Sequence, residues 1–278
     1  VSGLISIVIP TYNRPEALHA VLRSLAQQSD QDFEVLVADD GSEPDTAAVV
    51  AKWNGKIGRR VVHVWHPDRG FRAAEIRNRA ILVAAGDYCI FLDGDCLAQA
   101  DFVATHRRLA EPGWFVTGNR ILLSPALTEA VLAQGLPAET WSFAELVRHS
   151  LRRGVNRLLP ALRLPLGPLR KLLRGRWQGA QTCNLAVARG DLDRVDGFDT
   201  SYTGWGLEDS DLVVRLLRAG VQRKDGRFAI GVLHLWHAPN DRSGFAANQV
   251  QLDAAIHGGR IRALRGLSVL ADEANAQR

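Results

Sequence analysis

The sequence contains no methionine and only three cysteines in 278 residues. Cys89, Cys96 and Cys183 are scattered and odd in number. They exclude a disulfide-stapled miniprotein, offer no pair with zinc-ligand spacing, and fit a reducing compartment. Val1 stands where an initiator would, which suggests that the initiator has been removed. Long apolar runs are missing too: none approaches the roughly 18 residues a membrane span needs. Val1-Ser2-Gly3-Leu4-Ile5 lacks the basic n-region of a secretory leader, so none is expected. There is no repeat and no low-complexity tract. At 46% hydrophobic and 23% charged residues, the composition excludes a disordered tail or a fibre. A chain of this length makes one large domain or two small ones.

The net charge of +4 is unevenly spread. Between Trp141 and Trp177 lie eight arginines, one lysine and a single acid, Glu145. That stretch is +8, so the rest of the chain is net acidic. Any argument for a nucleic-acid or membrane partner concerns residues 141–177 alone.

Residues 4–9 form a short, β-branched apolar run that reads as a buried strand, followed by the loop Pro10-Thr11-Tyr12-Asn13. Asn13 is a candidate N-cap for a helix with Pro15 in its first turn and Leu18, Val21, Leu22 and Leu25 on one face. Further strands are expected at 33–38, 61–65 and 88–92, with helices at 43–53 and 73–85 between them. This alternation implies a parallel sheet covered on both faces, with ligands at the carboxyl ends of its strands. Polar clusters fall at three of those ends: Thr11-Tyr12-Asn13, Asp39-Asp40 and Asp93-Gly94-Asp95. The second half is less regular. Helices are expected at 101–110 and 207–219, strands at 114–117, 184–188 and 228–236, and a helical tail from Phe245. No linker is visible, so residues 1–278 read as one domain. Its parts are a first half (1–118), an elaborated second half (119–240) with the basic insertion 141–177, and the tail 241–278.

The carboxylates each have a bland alternative. Asp93-Gly94-Asp95 is either a solvated turn or a pair aimed at a hard cation such as Mg²⁺ or Mn²⁺. Asp39-Asp40 either caps a helix or accepts hydrogen bonds from a nucleotide. In Trp205-Gly206-Leu207-Glu208-Asp209-Ser210-Asp211 the acids suit a helix N-terminus, or they supply a general base beside an aromatic face on which a sugar ring packs. In Val232-Leu233-His234-Leu235-Trp236-His237, a strand would place His234 with Trp236 and turn His237 to the other face unless the strand ends there.

Together these motifs resemble the inverting family-2 glycosyltransferases of GT-A fold. Residues Ser6–Arg14, Val37-Ala38-Asp39-Asp40-Gly41-Ser42, Arg77-Asn78-Arg79-Ala80 and Asp93-Gly94-Asp95 are similar to that family's opening strand, D-D-G-S, R-N-x-A and D-x-D motifs. Gly197-Phe198-Asp199 and Trp205–Asp209 resemble the W-G-x-E-D region of galactosyltransferases, N-acetylgalactosaminyltransferases and chondroitin polymerases. The resemblance implies a Rossmann-like, mostly parallel α/β sheet with helices on both faces. It also implies a UDP-sugar donor and Mn²⁺ or Mg²⁺. Pro10, Thr11, Tyr12 and Asp40 would surround the uracil. Arg14, Arg72 and Arg77 would lie on the donor side, and Asp93 and Gly94 at the ribose or donor sugar. Asp95 and His234, with His237 as the alternative, would hold the metal. Asp209 would be the base, with Glu208, Trp205 and Gly206 towards the acceptor. A nucleotidyltransferase is disfavoured because the first loop lacks glycine, and a non-enzymatic sugar- or nucleic-acid-binding module leaves Asp93, Asp95 and Asp209 unexplained. Segment 141–177 has no counterpart in the family. Its interleaved leucines and arginines suit a flap over the site or an interfacial element on anionic lipid, and its sparse aromatics argue against nucleic acid. The expected setting is peripheral, on the cytoplasmic face of a bacterial inner membrane. The acceptor there would be a saccharide or glycolipid of lipopolysaccharide or polysaccharide synthesis.

Overall fold

The computed structural model describes residues 3–276; Val1 and Ser2 of the opening segment and Gln277 and Arg278 of the tail lie outside the described residues. The first half runs β1 (Ile5–Thr11), α1 (Pro15–Ala26), β2 (Phe33–Asp39), α2 (Pro44–Trp53), β3 (Val61–Trp65), α3 (Ala73–Val83) and β4 (Tyr88–Phe91). Then come β5 (Cys96–Ala98), α4 (Phe102–Leu109), β6 (Trp114–Thr117), β7 (Asn119–Leu122), α5 (Pro125–Gln134) and α6 (Phe143–Leu151). The chain ends with β8 (Leu185–Ala188), α7 (Arg189–Val195), α8 (Glu208–Arg218), β9 (Gln222–Asp225), β10 (Gly231–His234), α9 (Phe245–His257) and α10 (Leu267–Ala276).

Seven strands form one sheet in the order β3-β2-β1-β4-β8-β6-β9. The β1, β2, β3 and β4 pairings are parallel, as is β6 with β9, whereas β8 is antiparallel to both β4 and β6. The period of two sorts β1 between two cores. Ile5, Ile7 and Ile9 pack with Leu18, Val21, Leu22 and Leu25 of α1 on one face. Val8 joins Ile76, Ala80 and Ile81 of α3 and Leu212 of α8 on the other. A three-stranded sheet, β5-β10-β7, lies beside it, with β10 antiparallel to β5 and parallel to β7.

Apart from β5, for which no strand was expected, the first-half elements fall where expected, within a residue or two. Two expectations change. Asn13 is not the cap of α1: Arg14 occupies that place, and Asn13 adopts a left-handed φ of 48°. The strand expected at 228–236 shrinks to Gly231–His234, because Phe228 has φ 58°, which no strand accommodates. The basic insertion is helical only in α6; two 3₁₀ turns, Leu159–Ala161 and Gly167–Lys171, supply the remainder of its regular structure. The tail from Phe245 is helical, in two helices, and all three cysteines are buried and free.

A side-chain clamp ties the halves together. Asn78 of α3 donates from Nδ2 to the Phe198 carbonyl and accepts from the Phe198 N–H, both at 2.8 Å. Gly197 makes room for this: its φ is +65°, and a Cβ there would sit 2.5 Å from Asn78 Oδ1. Next to the clamp, Asp199 accepts from Arg260 and from the Leu264 N–H, which fixes the segment between α9 and α10. Asn78→Ala strands a buried N–H and a buried C=O together, at about 1–3 kcal/mol each. Unfolding in urea should therefore show a loss of about 2–5 kcal/mol; a loss under about 1 kcal/mol would mean that the clamp contributes little.

Candidate functional site

Four strand ends and one helix start converge on a cleft of about 600 Å³. Every site residue expected from sequence lines it except Arg72. Arg72 acts there only through its backbone N–H, which donates to Asp40 Oδ2 at 2.7 Å; its guanidinium turns to the Arg69 carbonyl.

The loop after β1 is latched to the loop after β2. The Asn13 N–H donates to Ser42 Oγ at 2.9 Å and Asn13 Oδ1 accepts from the Glu43 N–H at 2.8 Å. Asp39 does not line the cleft and accepts from the Ser42 N–H and His63 Nε2 at 2.8 Å each. Burial opposes its charge, but those hydrogen bonds hold it below the usual carboxylate range. Asp40 lines the cleft, with Oδ1 at 3.0 Å from the buried His66 Nε2. That contact raises the His66 pKa against the opposing effect of burial. Tyr12, half exposed, donates to Asp68 Oδ2 at 2.9 Å.

Asp93, Gly94 and Asp95 lie between β4 and β5. Gly94 is required by close approach: its N–H donates to the Pro10 carbonyl at 3.1 Å, and a Cβ would lie 2.6 Å from that oxygen. Pairing of β10 with β5 sets His234 opposite Cys96, one residue from Asp95. His234 Nε2 lies 3.4 Å from Asp95 Oδ1, and His237 Nε2 lies 3.6 Å from Asp95 Oδ2. The strand stops at His234, so the chain turns and both histidines reach one carboxylate. Their ligand atoms and that of Asp95 lie within 4.8 Å of one another. One carboxylate and two imidazoles form a donor set suited to Mn²⁺ or a similar divalent ion. Arg14 also reaches Asp95, with Nη1 at 2.8 Å from Oδ2.

The buried guanidinium of Arg77 joins the acid after β4 to the start of α8. Its Nη1 donates to Glu208 Oε1 at 2.8 Å, its Nη2 lies 3.4 Å from Asp93 Oδ1, and its Cζ sits 5.5 Å from the Phe198 ring centroid. Glu208 thus spends one oxygen on Arg77. Burial pushes Asp93 up to about 6, with Arg77 pulling it down and Asp95 raising it. Asp209, in the first turn of α8, is pushed up to about 7 by burial and then by Glu208, against the pull of Arg77. Its Oδ1 accepts from the Ser210 N–H at 2.7 Å. The other oxygen has no hydrogen-bond partner among the described residues.

The entry to α8 is strained. Gly206 has φ 104° and Leu207 φ 78°, the latter uncommon for a side chain branched beyond Cβ. Helix α9 holds this turn: Asn248 Nδ2 donates to the carbonyls of Gly206 at 3.0 Å and Thr203 at 3.2 Å. Phe245 stacks on Trp205 at 5.9 Å between centroids, and the Arg242 guanidinium lies 4.8 Å from the Trp205 ring. Phe245, Arg242 and Asn248 escaped sequence reasoning, because a polar helical tail gives no sign of where it docks. Arg120 of β7 was missed as well. It lines the cleft from a four-residue strand with no periodic signal.

Comparison with known proteins agrees with this geometry. The family described as "Glycosyl transferase family 2" matches residues 6–155, and "N-terminal domain of galactosyltransferase" matches 171–236. Validoxylamine A glucosyltransferase of Streptomyces hygroscopicus subsp. jinggangensis is 33% identical over 86% of this chain and 56% of its own length. Chondroitin synthase of Pasteurella multocida is 28% identical over 78% of this chain and 23% of its own. The chain therefore spans about half or less of these relatives. Among solved structures, S. aureus TarS 1-349 with UDP superposes with a TM-score of 0.61 at 17% identity, over 98% of this chain and 71% of that one. The mannosyltransferase PcManGT of Pyrobaculum calidifontis, in complex with GDP-Man and Mn²⁺, gives 0.58 at 19% identity, over 97% and 68%. Those likenesses carry the fold, which is GT-A. Since the first family match alone spans more than half of the chain and meets the strand ends that build the cleft, this chain belongs to glycosyltransferase family 2.

Proposed function

We propose that this glycosyltransferase moves a hexose-type sugar from a UDP-sugar to a hydroxyl of a saccharide or glycolipid, with inversion, in cell-surface polysaccharide or lipopolysaccharide synthesis. The observation that carries the reading is the pairing, across one cleft, of a raised carboxylate at Asp209 with the Asp95, His234 and His237 cluster. A hydroxyl is a poor nucleophile near neutral pH, and a carboxylate near 7 is matched to taking its proton as attack proceeds. One base opposite the leaving group suffices for a single displacement, and no carboxylate nucleophile is required, in contrast to a retaining glycosidase. Asp95, His234 and His237 would hold Mn²⁺ or Mg²⁺, which when bound would neutralise charge on the departing diphosphate. Pro10, Thr11, Tyr12 and Asp40 line the nucleotide end, and Arg77 holds Asp93 beside it. Trp205, flat and supported by Phe245, offers the acceptor ring an apolar face. The UDP in the TarS complex and the Mn²⁺ in the PcManGT complex support the donor and metal assignments by likeness.

Three outcomes test this. Asp209→Asn keeps the shape and removes proton acceptance, so turnover should fall about 10²–10⁴-fold while UDP binding by calorimetry is retained. Loss of UDP binding would move Asp209 to the donor side.

The pH profile should follow the same group. The working form of Asp209 is ionised, so kcat/KM should rise with pH through an acid limb near 7. The charges facing it are Glu208, Arg77 and Asp93. Glu208→Gln removes the larger of the neighbouring negative charges, which should move the limb to lower pH. A limb that stays in place or moves upward contradicts Asp209 as the base.

Metal binding is separable from activity. Asp95→Ala should abolish transfer. His234→Ala and His237→Ala should each weaken Mn²⁺ binding, read by calorimetry, by at least about 10–100-fold, the usual cost of losing even an outer-shell partner. Unaltered Mn²⁺ affinity in both histidine variants, or full activity in EDTA, would remove the cluster from the reaction.

A further inference from the structure

The basic insertion folds with its polarity reversed. In the 3₁₀ turn Gly167–Lys171 the Leu169 N–H donates to the Leu166 carbonyl at 3.0 Å, and the Leu172 N–H to the Leu169 carbonyl at 3.2 Å. Side chains three apart eclipse in such a turn, so Leu166, Leu169 and Leu172 form one ridge. Leu169 is 58% exposed and Leu172 74%, while the charged Arg170 between them is 5% exposed. Arg170 turns inward, donating to the carbonyls of Asp225, Arg227 and Leu164 at 2.7–3.0 Å. Lys171 also turns away from the ridge, to Glu111 at 2.5 Å and over the Trp114 ring at 4.5 Å. A soluble turn would do the opposite, facing its cations to water and burying its leucines. Behind the ridge is a hollow of about 670 Å³, with Leu109, Leu164, Leu166 and Phe228 in its walls and Arg108 and Arg163 among its cations.

Cations flank the ridge: Arg174 and Arg176 follow it and are exposed. The acids nearest the hollow are already taken: Glu111 by Lys171 and Lys224, and Asp101 by Arg163. Exposed leucines beside Arg174 and Arg176, which form no ion pair among the described residues, match a surface that offers acyl chains beneath a layer of anions. The hollow is lined by Ala229, which precedes β10, and His234 ends that strand. The ridge therefore lies at the end of β10 away from the proposed metal residues. Among the described residues no helix is long and apolar enough to cross a membrane, so contact here would be interfacial.

We propose that the ridge Leu166-Leu169-Leu172, with Leu164 and the arginines around it, docks this protein on the surface of an anionic lipid bilayer. This is independent of the transfer reading, since it is tested by binding and not by activity. The chain is sedimented with vesicles of phosphatidylcholine, with and without phosphatidylglycerol, at low and high salt. Recovery is expected with anionic vesicles only and should fall as salt screens the arginines. Leu169→Ser/Leu172→Ser should lower the partition constant by on the order of tenfold or more, and Arg174→Gln/Arg176→Gln by roughly 10–30-fold. These side chains are exposed, and far-UV circular dichroism should confirm that both variants fold. Equal recovery on neutral and anionic vesicles, or full binding by the leucine variant, would overturn the proposal. So would sedimentation equilibrium in which the wild type self-associates and the leucine variant does not, because the ridge would then belong to a second copy.

Discussion

The site depends on one buried cation. Arg77 leaves α3 with its guanidinium out of water, between Glu208 on α8 and Asp93 at the end of β4. A lone guanidinium so buried would be costly, and it is stable only because acids from both halves approach it. The same arrangement gathers acids that would otherwise repel one another. Asp93, Glu208 and Asp209 tolerate proximity because a fixed positive charge stands among them. Two consequences follow from a single residue. The halves are held in register, and Asp209 settles near 7 rather than higher. The neighbouring Asn78 adds geometric definition by gripping both polar groups of the Phe198 backbone. The R-N pair of the helix and the G-F-D segment, more than a hundred residues later, are two sides of one joint.

The Asp95, His234 and His237 cluster depends on a backbone constraint of a different kind. Asp95 can stand near β10 because Gly94 lets the chain pass within contact of the Pro10 carbonyl. The Leu235 N–H then donates to the Asp95 carbonyl at 2.9 Å, which extends the β5–β10 pairing by one step and delivers both histidines. Arg14 reaches the same carboxylate and donates through Nη2 to the Trp236 carbonyl. The carboxylate is thus approached by groups from two segments, Arg14 after β1 and the two histidines at the end of β10.

Much of this was legible in the sequence, for stated physical reasons. Buried parallel strands read as near-continuous apolar runs, so β1, β2 and β4 announce themselves, and the acids that follow them mark the sheet's ligand-binding rim. The strands β5, β7 and β9 do not. Asn119-Arg120-Ile121-Leu122 and Gln222-Arg223-Lys224-Asp225 have no period and are strands only because distant partners pair with them. The choice between His234 and His237 turned on where β10 stops, and strand ends are set by tertiary contacts rather than composition. Asn13 looked like a cap because its amide bonds backbone groups; it does so, but across to Glu43 rather than along α1. Arg170 shows the opposite limit. In sequence it is one more cation in a +8 stretch, and in the fold it is a buried brace for the loop that carries the leucines.

Why is Asp209, and not Asp93, the proposed proton acceptor, when burial raises both? The answer lies in what each carboxylate has left to offer. Asp93 faces Arg77 and stands two residues from Asp95, so its charge is already committed to the donor side. Asp209 is held by its own helix through the Ser210 N–H and keeps an oxygen without a protein partner, on the wall that also carries Trp205. The helix N-terminus favours its ionised form while burial and Glu208 favour the neutral one. In the proposed reaction that opposition would let a single carboxylate lose its proton before the acceptor arrives and take another as the new bond forms. A base poised in this way must be both shielded from water and supported by the fold. The strained turn at Gly206 and Leu207, pinned from behind by Asn248, supplies that support at the point where the helix begins.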